Sequence, residues 1–406
     1  MNRIKETDSS RIKHFSTYGL ALFFVLTPFE YPLADMMTVS PLRIVGLFVM
    51  GLAALDILLQ RVIKLDGRII LVALWLAYGL LTYFWTIDSS RFQSYYSIYM
   101  NNALMFLLLS MVSFTKQEAT ILKKAMVFGV GALLLYMTFV PGALAYSDYQ
   151  HRLTLKAGTE DLDQNYLAAL MLSAFGIVFY NLCNAKQKRI WRTLSVAFCL
   201  GIVYYTLLTG SRSGIIALLL IVLLTVNTSW KTRFLVGIPI IVILFVAFPF
   251  VEQYIPEEIT ERFSLSALLG QETESGTRLV IWRRALLSLQ GLEALVGYGA
   301  GASQTVVGNA LGKGDAVVHN HYLAMFVEFG LIGFLLINIP IFMMLIKAKK
   351  NDKSVAVAFA GILVMAFFLD VLTTKFFWSA MILLSVCCSA RGNTNLKMEN
   401  ETTALG

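Results

Sequence analysis

Residues 42–60 read Leu42-Arg-Ile-Val-Gly-Leu-Phe-Val-Met-Gly-Leu-Ala-Ala-Leu-Asp-Ile-Leu-Leu-Gln60. As a helix rising about 1.5 Å per residue, this stretch crosses the roughly 30 Å of a bilayer's hydrocarbon core. Similar runs recur on both sides of it, at 15–34, 68–86, 95–114, 119–140, 165–183, 191–209, 214–229, 233–251, 320–346, 355–372 and 374–390. Only helices and closed barrels satisfy their backbone groups in lipid, and blocks of this length are helical rather than strand-like. The pattern therefore predicts an all-α polytopic membrane protein of about twelve transmembrane helices, with spans eight and twelve short for an upright crossing.

Composition agrees. Of 406 residues, 57% are apolar and 14% charged, and the mean hydropathy is +0.70. Soluble domains carry about 25% charged residues, so a soluble cytosolic enzyme, a disordered scaffold and a β-barrel porin are all excluded. The net charge of +8 belongs to the loops and implies no nucleic-acid partner. Cys183, Cys199, Cys387 and Cys388 have no zinc-site spacing and read as small apolar fillers.

Placing the N-terminus in the cytoplasm puts about two-thirds of the 33 lysines and arginines in inner loops, including Arg3, Lys5, Arg11 and Lys13 ahead of the first span. Both termini are then cytoplasmic. The organisation that follows is a cytoplasmic N-terminus (1–14), helices one to nine (15–251), and an outer loop (252–318) with a surface helix at 277–290. Helices ten to twelve (319–390) and a cytoplasmic tail (391–406) complete it. A smaller outer segment runs from 141 to 164. In the surface helix, Leu279, Trp282, Leu286 and Leu289 recur at helical spacing, which predicts an amphipathic helix lying on the membrane.

Three features fall on the outer side of this topology. The first is Thr209-Gly210-Ser211-Arg212-Ser213-Gly214, a small-residue corner with an arginine at its centre. Charge at membrane depth is costly, so Arg212 either faces a polar cavity or an anion, or snorkels to lipid phosphates and caps helix carbonyls. The second is the basic surface helix. Arg283 and Arg284 suit a lipid-headgroup anchor, whereas Arg278, in the first turn, would add its guanidinium to the anion-binding amides of the helix N-terminus. The third is Val318-His319-Asn320-His321-Tyr322 at the entry to span ten. Two histidines at i, i+2 do not share a helical face, which argues against a metal pair. A histidine there can accept a proton, its ordinary pKa being about 6.5, or serve as a hydrogen-bonded interfacial residue.

Other signals read more plainly. Gly297-Tyr298-Gly299-Ala300-Gly301 is a turn whose amides could approach a phosphate, not a dinucleotide fingerprint. Glu328 and Asp370 lie within expected spans and suit bundle-internal hydrogen bonds better than proton transport. Tyr95, Tyr96 and Tyr99 suit an interfacial aromatic belt.

Taken in order, Thr-Gly-Ser-Arg-Ser-Gly at 209–214, Thr277-Arg278-x-x-x-Trp282, and His319-Asn-His-Tyr-Leu-Ala-Met-Phe-Val-Glu-Phe-Gly-Leu-Ile-Gly333 resemble the O-antigen ligase / O-antigen polymerase (Wzy-type) superfamily of membrane glycosyltransferases. The resemblance covers about residues 195–345. It implies transfer of an undecaprenyl-diphosphate-linked glycan to an acceptor hydroxyl on the outer face of the bacterial inner membrane. It further implies that Arg212 and Arg278 bind the diphosphate and that His319 activates the acceptor. His321 ranks second, and Arg283, Arg284, Asn320 and Ser211 are secondary candidates. No metal or other cofactor is expected.

The chemistry fits these residue types. Guanidinium forks suit the charge growing on a diphosphate leaving group, and one base suffices for a single inverting displacement. The acceptor could be a second lipid-linked repeat (a polymerase), lipid A-core (a ligase) or a protein. The compact loop and the His-Asn-His-Tyr form favour an O-antigen or exopolysaccharide polymerase, with a chain-length regulator as a candidate partner. From another class, a lipid-linked oligosaccharide flippase would place its polar groups near the bilayer midplane rather than at one interface.

Overall fold

The computed structural model describes residues 14–34, 40–60, 63, 65–146, 152–156, 162–226 and 274–390. The expected span at 233–251, the first part of the outer loop and both termini lie outside the described residues. What is described is helical apart from one short hairpin.

Helix α1 (Phe15–Leu26) runs through a 3-10 turn at Thr27–Phe29 into α2 (Glu30–Ala34). Next come α3 (Pro41–Gln60), α4 (Gly67–Leu81) and α5 (Ser89–Met111). Helix α6 (Lys116–Phe139) leads to the hairpin β1 (Leu144–Tyr146) and β2 (Leu153–Leu155), antiparallel with Ala145 opposite Thr154. Then follow α7 (Gln164–Asn184), α8 (Arg189–Leu208) and α9 (Arg212–Thr225). The outer segment contributes α10 (Glu274–Ser288), α11 (Glu293–Val296) and α12 (Ser303–Ala310). The chain closes with α13 (His321–Asn351), α14 (Lys353–Met365) and α15 (Lys375–Ser389).

Polar side chains start these helices by taking up amides that an N-terminus leaves open. Asp66, Asp88, Asp163, Ser211, Asn320 and Asp352 all accept from amides of the first turn. Thr115 and Glu118 form a reciprocal capping box at α6. Small residues then let helices approach closely, the usual packing device where lipid is as apolar as the side chains. A Cβ on Gly176 would lie 2.4 Å from the Ala358 Cα, so α7 and α14 touch backbone to backbone.

Among the described residues, six helices are long and apolar enough to cross a membrane: 41–60, 67–84, 116–139, 164–184, 189–208 and 321–351. The chain is thus an all-α membrane protein, but about twelve such spans were expected, and the differences have local causes. Pro28 breaks the first span at a 3-10 turn. Helices α9, α14 and α15 are apolar but short. Helix α5 is long enough, yet Gln93, Ser94, Ser97, Asn101 and Asn102 make it too polar to read as a simple crossing.

The longest helix is broken where the sequence showed only an apolar run. Gly330 in α13 has φ +60°, and the break frees the carbonyls of Val327 and Glu328. These accept the amides of Tyr298 and Gly299, each at 2.9 Å. The contact is so close that a Cβ on Gly330 would sit 2.3 Å from the Leu295 carbonyl, and one on Gly297 2.4 Å from the Glu328 oxygen. The glycine-rich turn therefore docks on α13. The amides of Tyr298, Gly299 and Ala300 bond to protein acceptors and are not directed at a phosphate.

The same docking recruits Tyr99, whose hydroxyl donates to the buried Glu328 carboxylate at 3.0 Å, with Ser303 donating at 2.7 Å. Tyr96 donates to the Leu76 carbonyl and Tyr95 accepts from Gln304. Tyr96 and Tyr99 are buried and Tyr95 half-buried, so the three are internal struts rather than an aromatic belt. Glu328 makes the bundle-internal hydrogen bonds expected of it. Nearby, Asp88 accepts from the Arg91 amide and from the Thr305 and Ser90 hydroxyls, which hold its carboxyl below the usual value.

At the opposite end of the bundle, His14 donates its amide to Glu118 and brings its ring to 3.0 Å of the same carboxylate. Asp56 accepts the amides of Phe15 and Ser16, and Lys123 pairs with Asp352. Cys199, Cys387 and Cys388 are buried fillers as expected, whereas Cys183 is exposed.

Candidate functional site

The first turn of α7 is the hub of the end that carries the histidines. Asn165 accepts from Ser211 of the arginine corner at 2.9 Å, and its neighbour Tyr166 donates to the Asp370 carbonyl at 2.6 Å. One helical turn thus ties the α8–α9 corner to the 366–374 segment between α14 and α15. That segment in turn holds the start of α13, because the His321 amide donates to the carbonyls of Ala366 and Leu369. From the other side, the Trp282 indole of α10 donates to the Val318 carbonyl at 3.0 Å and its ring packs 6.3 Å from Phe368. Segments separated by well over a hundred residues therefore converge at one end of the bundle.

Within the corner, Gly210 turns the chain at φ +59° and Ser211 caps α9 through the Gly214 amide at 3.1 Å. Arg212 follows as the first residue of α9 and is half-buried. A Cβ on Gly214 would come within 2.9 Å of Thr206 and 3.1 Å of Ala168, so the corner is pressed against both α8 and α7.

Arg152, which the sequence did not single out, fixes its shape. The guanidinium is 2% exposed, its Nε donates to the Thr209 carbonyl at 2.7 Å, and its Nη2 donates to Asn165 Oδ1 at 3.1 Å. A buried arginine spent on backbone and amide acceptors is a scaffold for the corner. Its only sequence signal was a cation in the smaller outer segment, which also carries Lys156.

Helix α10 sits differently from the expectation. Trp282 and Leu289 turn inward with Ala285, which is fully buried, against Val306, Val307 and Val318. Leu279 and Leu286, assigned to the same stripe, are 63% and 53% exposed. The small Ala285 lets α10 approach, so the face carrying Trp282 packs on protein. Arg278 is one turn before Trp282, on that same side, and is half-buried. Arg283 and Arg284 are exposed and face away.

His319 is half-buried and has φ +48°, the one non-glycine residue with positive φ among those described. Left-handed backbone costs an L-residue about 1–2 kcal/mol, and such strain gathers at functional sites. Asn320 is spent as the α13 cap, accepting the Leu323 amide at 3.1 Å. Ser211 and Asn320 are therefore structural caps.

His321 is 1% exposed, between the rings of Tyr322 and Phe377. Neither ring nitrogen has a hydrogen-bond partner, and Nδ1 is 3.8 Å from Asp370 Oδ1, itself without one. The distance is within ion-pair reach but too long for a hydrogen bond. Asp370 is not inside a span: α14 ends at Met365, and Asp370 lies in the turn beyond it. Among the described residues no three His, Cys, Asp or Glu side chains gather closely enough to hold a metal ion.

Residues 197–337 match the family model described as O-antigen ligase. The matched stretch contains the arginine corner, α10 and the histidine motif, so the family resemblance read from those residues holds over the part of the chain that carries them. The match supports a membrane enzyme of surface-polysaccharide biosynthesis, consistent with the bacterial inner membrane. No curated protein matches the chain.

Proposed function

We propose that this protein transfers a glycan from undecaprenyl diphosphate to an acceptor hydroxyl on the outer face of the inner membrane, both termini being cytoplasmic. Arg212 and Arg278 hold the diphosphate, and His319 takes the acceptor proton as the hydroxyl attacks the anomeric carbon. The observation that carries this reading is the convergence of their three segments through Asn165–Ser211, Tyr166–Asp370 and Trp282–Val318. As the sugar C1–O bond breaks, charge grows on the diphosphate, and two fixed guanidinium groups aimed at it lower the barrier by several kcal/mol. The leaving group departs as an anion, so no acid is required, and displacement from the opposite face inverts the anomeric configuration. The preferred reaction is that of a polysaccharide polymerase, with a ligase to lipid A-core or to protein as the alternative.

A second assignment of the base has a specific observation behind it. His321 has ring nitrogens without a hydrogen-bond partner and lies 3.8 Å from the Asp370 carboxylate, which could orient the ring. Alanine substitutions at Arg212, Arg278, His319 and His321, scored as surface polysaccharide on a gel at equal protein abundance, separate the cases. Loss of glycan in the first three variants with a partial effect at His321 is the expected result. Intact glycan in Arg212→Ala, Arg278→Ala and His319→Ala would overturn the assignment, and loss at His321 alone would move the base there.

A further inference from the structure

Helix α5 carries a polar stripe whose three serines donate locally, to Asp88 and to the Ser90 and Gln93 carbonyls. Ser90, Ser94, Ser97 and Asn101 are spaced four, three and four residues apart, which puts them on one helical face over about 16 Å, and all four are exposed. The stripe ends in a half-open cavity of about 470 Å³ lined mainly by α1, α3 and α5. One wall is apolar, with Phe23, Leu42, Leu47, Met50 and Met105. The other presents Ser97, Asn101 and Asn102, and Asn102 is 7% exposed with its amide Nδ2 unpartnered. A buried amide donor without an acceptor, on a helix within a membrane bundle, is costly unless a ligand with hydrogen-bond acceptors completes it. Arg43 and the Lys375–Glu30 ion pair stand at the rim.

The position of the cavity indicates which ligand. Thr373, in the same short segment as Asp370, and Lys375, the first residue of α15, line it, and Asp370 lies 3.8 Å from His321. The cavity's lining comes mainly from α1, α3 and α5 and is linked to the His321 side through the segment that carries Asp370, whereas Arg212 and Arg278 come from α9 and α10.

We propose that this cavity binds the acceptor as a phosphorylated glycolipid, with its lipid chain against Phe23, Leu47 and Met50, its polar groups along the α5 stripe, and a phosphate at Arg43. This rests on the glycan-transfer reading and adds that the two lipid-borne substrates enter from different sides, an arrangement compatible with attack on the anomeric carbon opposite the diphosphate. Two sources of acceptor, a lipid-linked repeat and lipid A-core, share this chemistry.

The test is photo-crosslinking in intact membranes, with benzoylphenylalanine introduced in place of Asn101 and, separately, of Leu47. The full-length protein carries His319→Ala so that no turnover occurs, and the adduct is analysed by mass spectrometry. The expected adduct is a glycan-bearing, phosphorylated lipid. It should fall at least tenfold with Gly46→Leu, which builds bulk into the cavity beside Phe23, and persist with Arg212→Ala. A repeat-unit adduct identifies the acceptor of a polymerase and a lipid A-core adduct that of a ligase. An adduct of ordinary phospholipid alone, an adduct lost with Arg212→Ala, or none at either position overturns the proposal. If His319→Ala cells still made surface glycan, the transfer reading would fail separately, whatever the adduct.

Discussion

His319→Gly should abolish glycan transfer while leaving the protein about as stable as the native chain. General-base catalysis contributes about 10²–10⁴-fold, so loss of the imidazole should lower the rate by that factor. The backbone argument runs the other way. At φ +48°, histidine carries about 1–2 kcal/mol of left-handed strain that glycine does not. Glycine's extra freedom in the unfolded chain costs about 0.5–1 kcal/mol, so the two effects nearly offset. Transfer assays on the purified protein with a polyprenyl-diphosphate glycan, paired with thermal unfolding, measure both. A stable, inactive variant is expected. An active one would remove His319 from the chemistry, and a strongly destabilised one would make its role structural.

Gly330→Ala should have the largest effect on the fold. The new Cβ would lie 2.3 Å from the Leu295 carbonyl while the residue is held at φ +60°. Relieving the clash means withdrawing residues 295–299 from α13, with loss of the Tyr298–Val327 and Gly299–Glu328 hydrogen bonds. Strain of about 1–2 kcal/mol and two backbone bonds at about 1 kcal/mol each give roughly 3 kcal/mol or more. Thermal unfolding and protease cleavage within 293–316 should both shift markedly. Gly312→Ala is the control: φ is +67°, but a Cβ there meets nothing within 4 Å, so only the local backbone cost applies. Equal behaviour of the two variants would contradict the account of the broken helix.

Helix positions were legible because an apolar run has only one way to satisfy its backbone in lipid. The arginine corner, Trp282 and the histidine motif were visible as sequence irregularities. The break at Gly330 was not, because a lone glycine in an apolar helix carries no sign of its φ. Helical spacing placed Leu279 and Leu286 with Trp282 and Leu289, but in a membrane protein an apolar side chain suits lipid and protein equally. The choice fell to Ala285, a small residue that is fully buried between Trp282 and Leu289. Tyr99 and Arg152 were misjudged or missed because their partners, Glu328 and Thr209, are 229 and 57 residues away. Asp370 was assigned to a helix that in fact ends five residues earlier, which concealed its pairing with His321.

The central claim is that Arg212 and Arg278, far apart in the chain, grip one diphosphate. A double-mutant cycle tests it most directly, using transfer kinetics of the purified protein with Arg212→Ala, Arg278→Ala and the pair. If both hold the same group, the double variant should be much less impaired than the product of the two single effects, with a coupling of at least about 1 kcal/mol. Single effects that simply multiply would mean that the two arginines act at separate places, and the shared site would be contradicted.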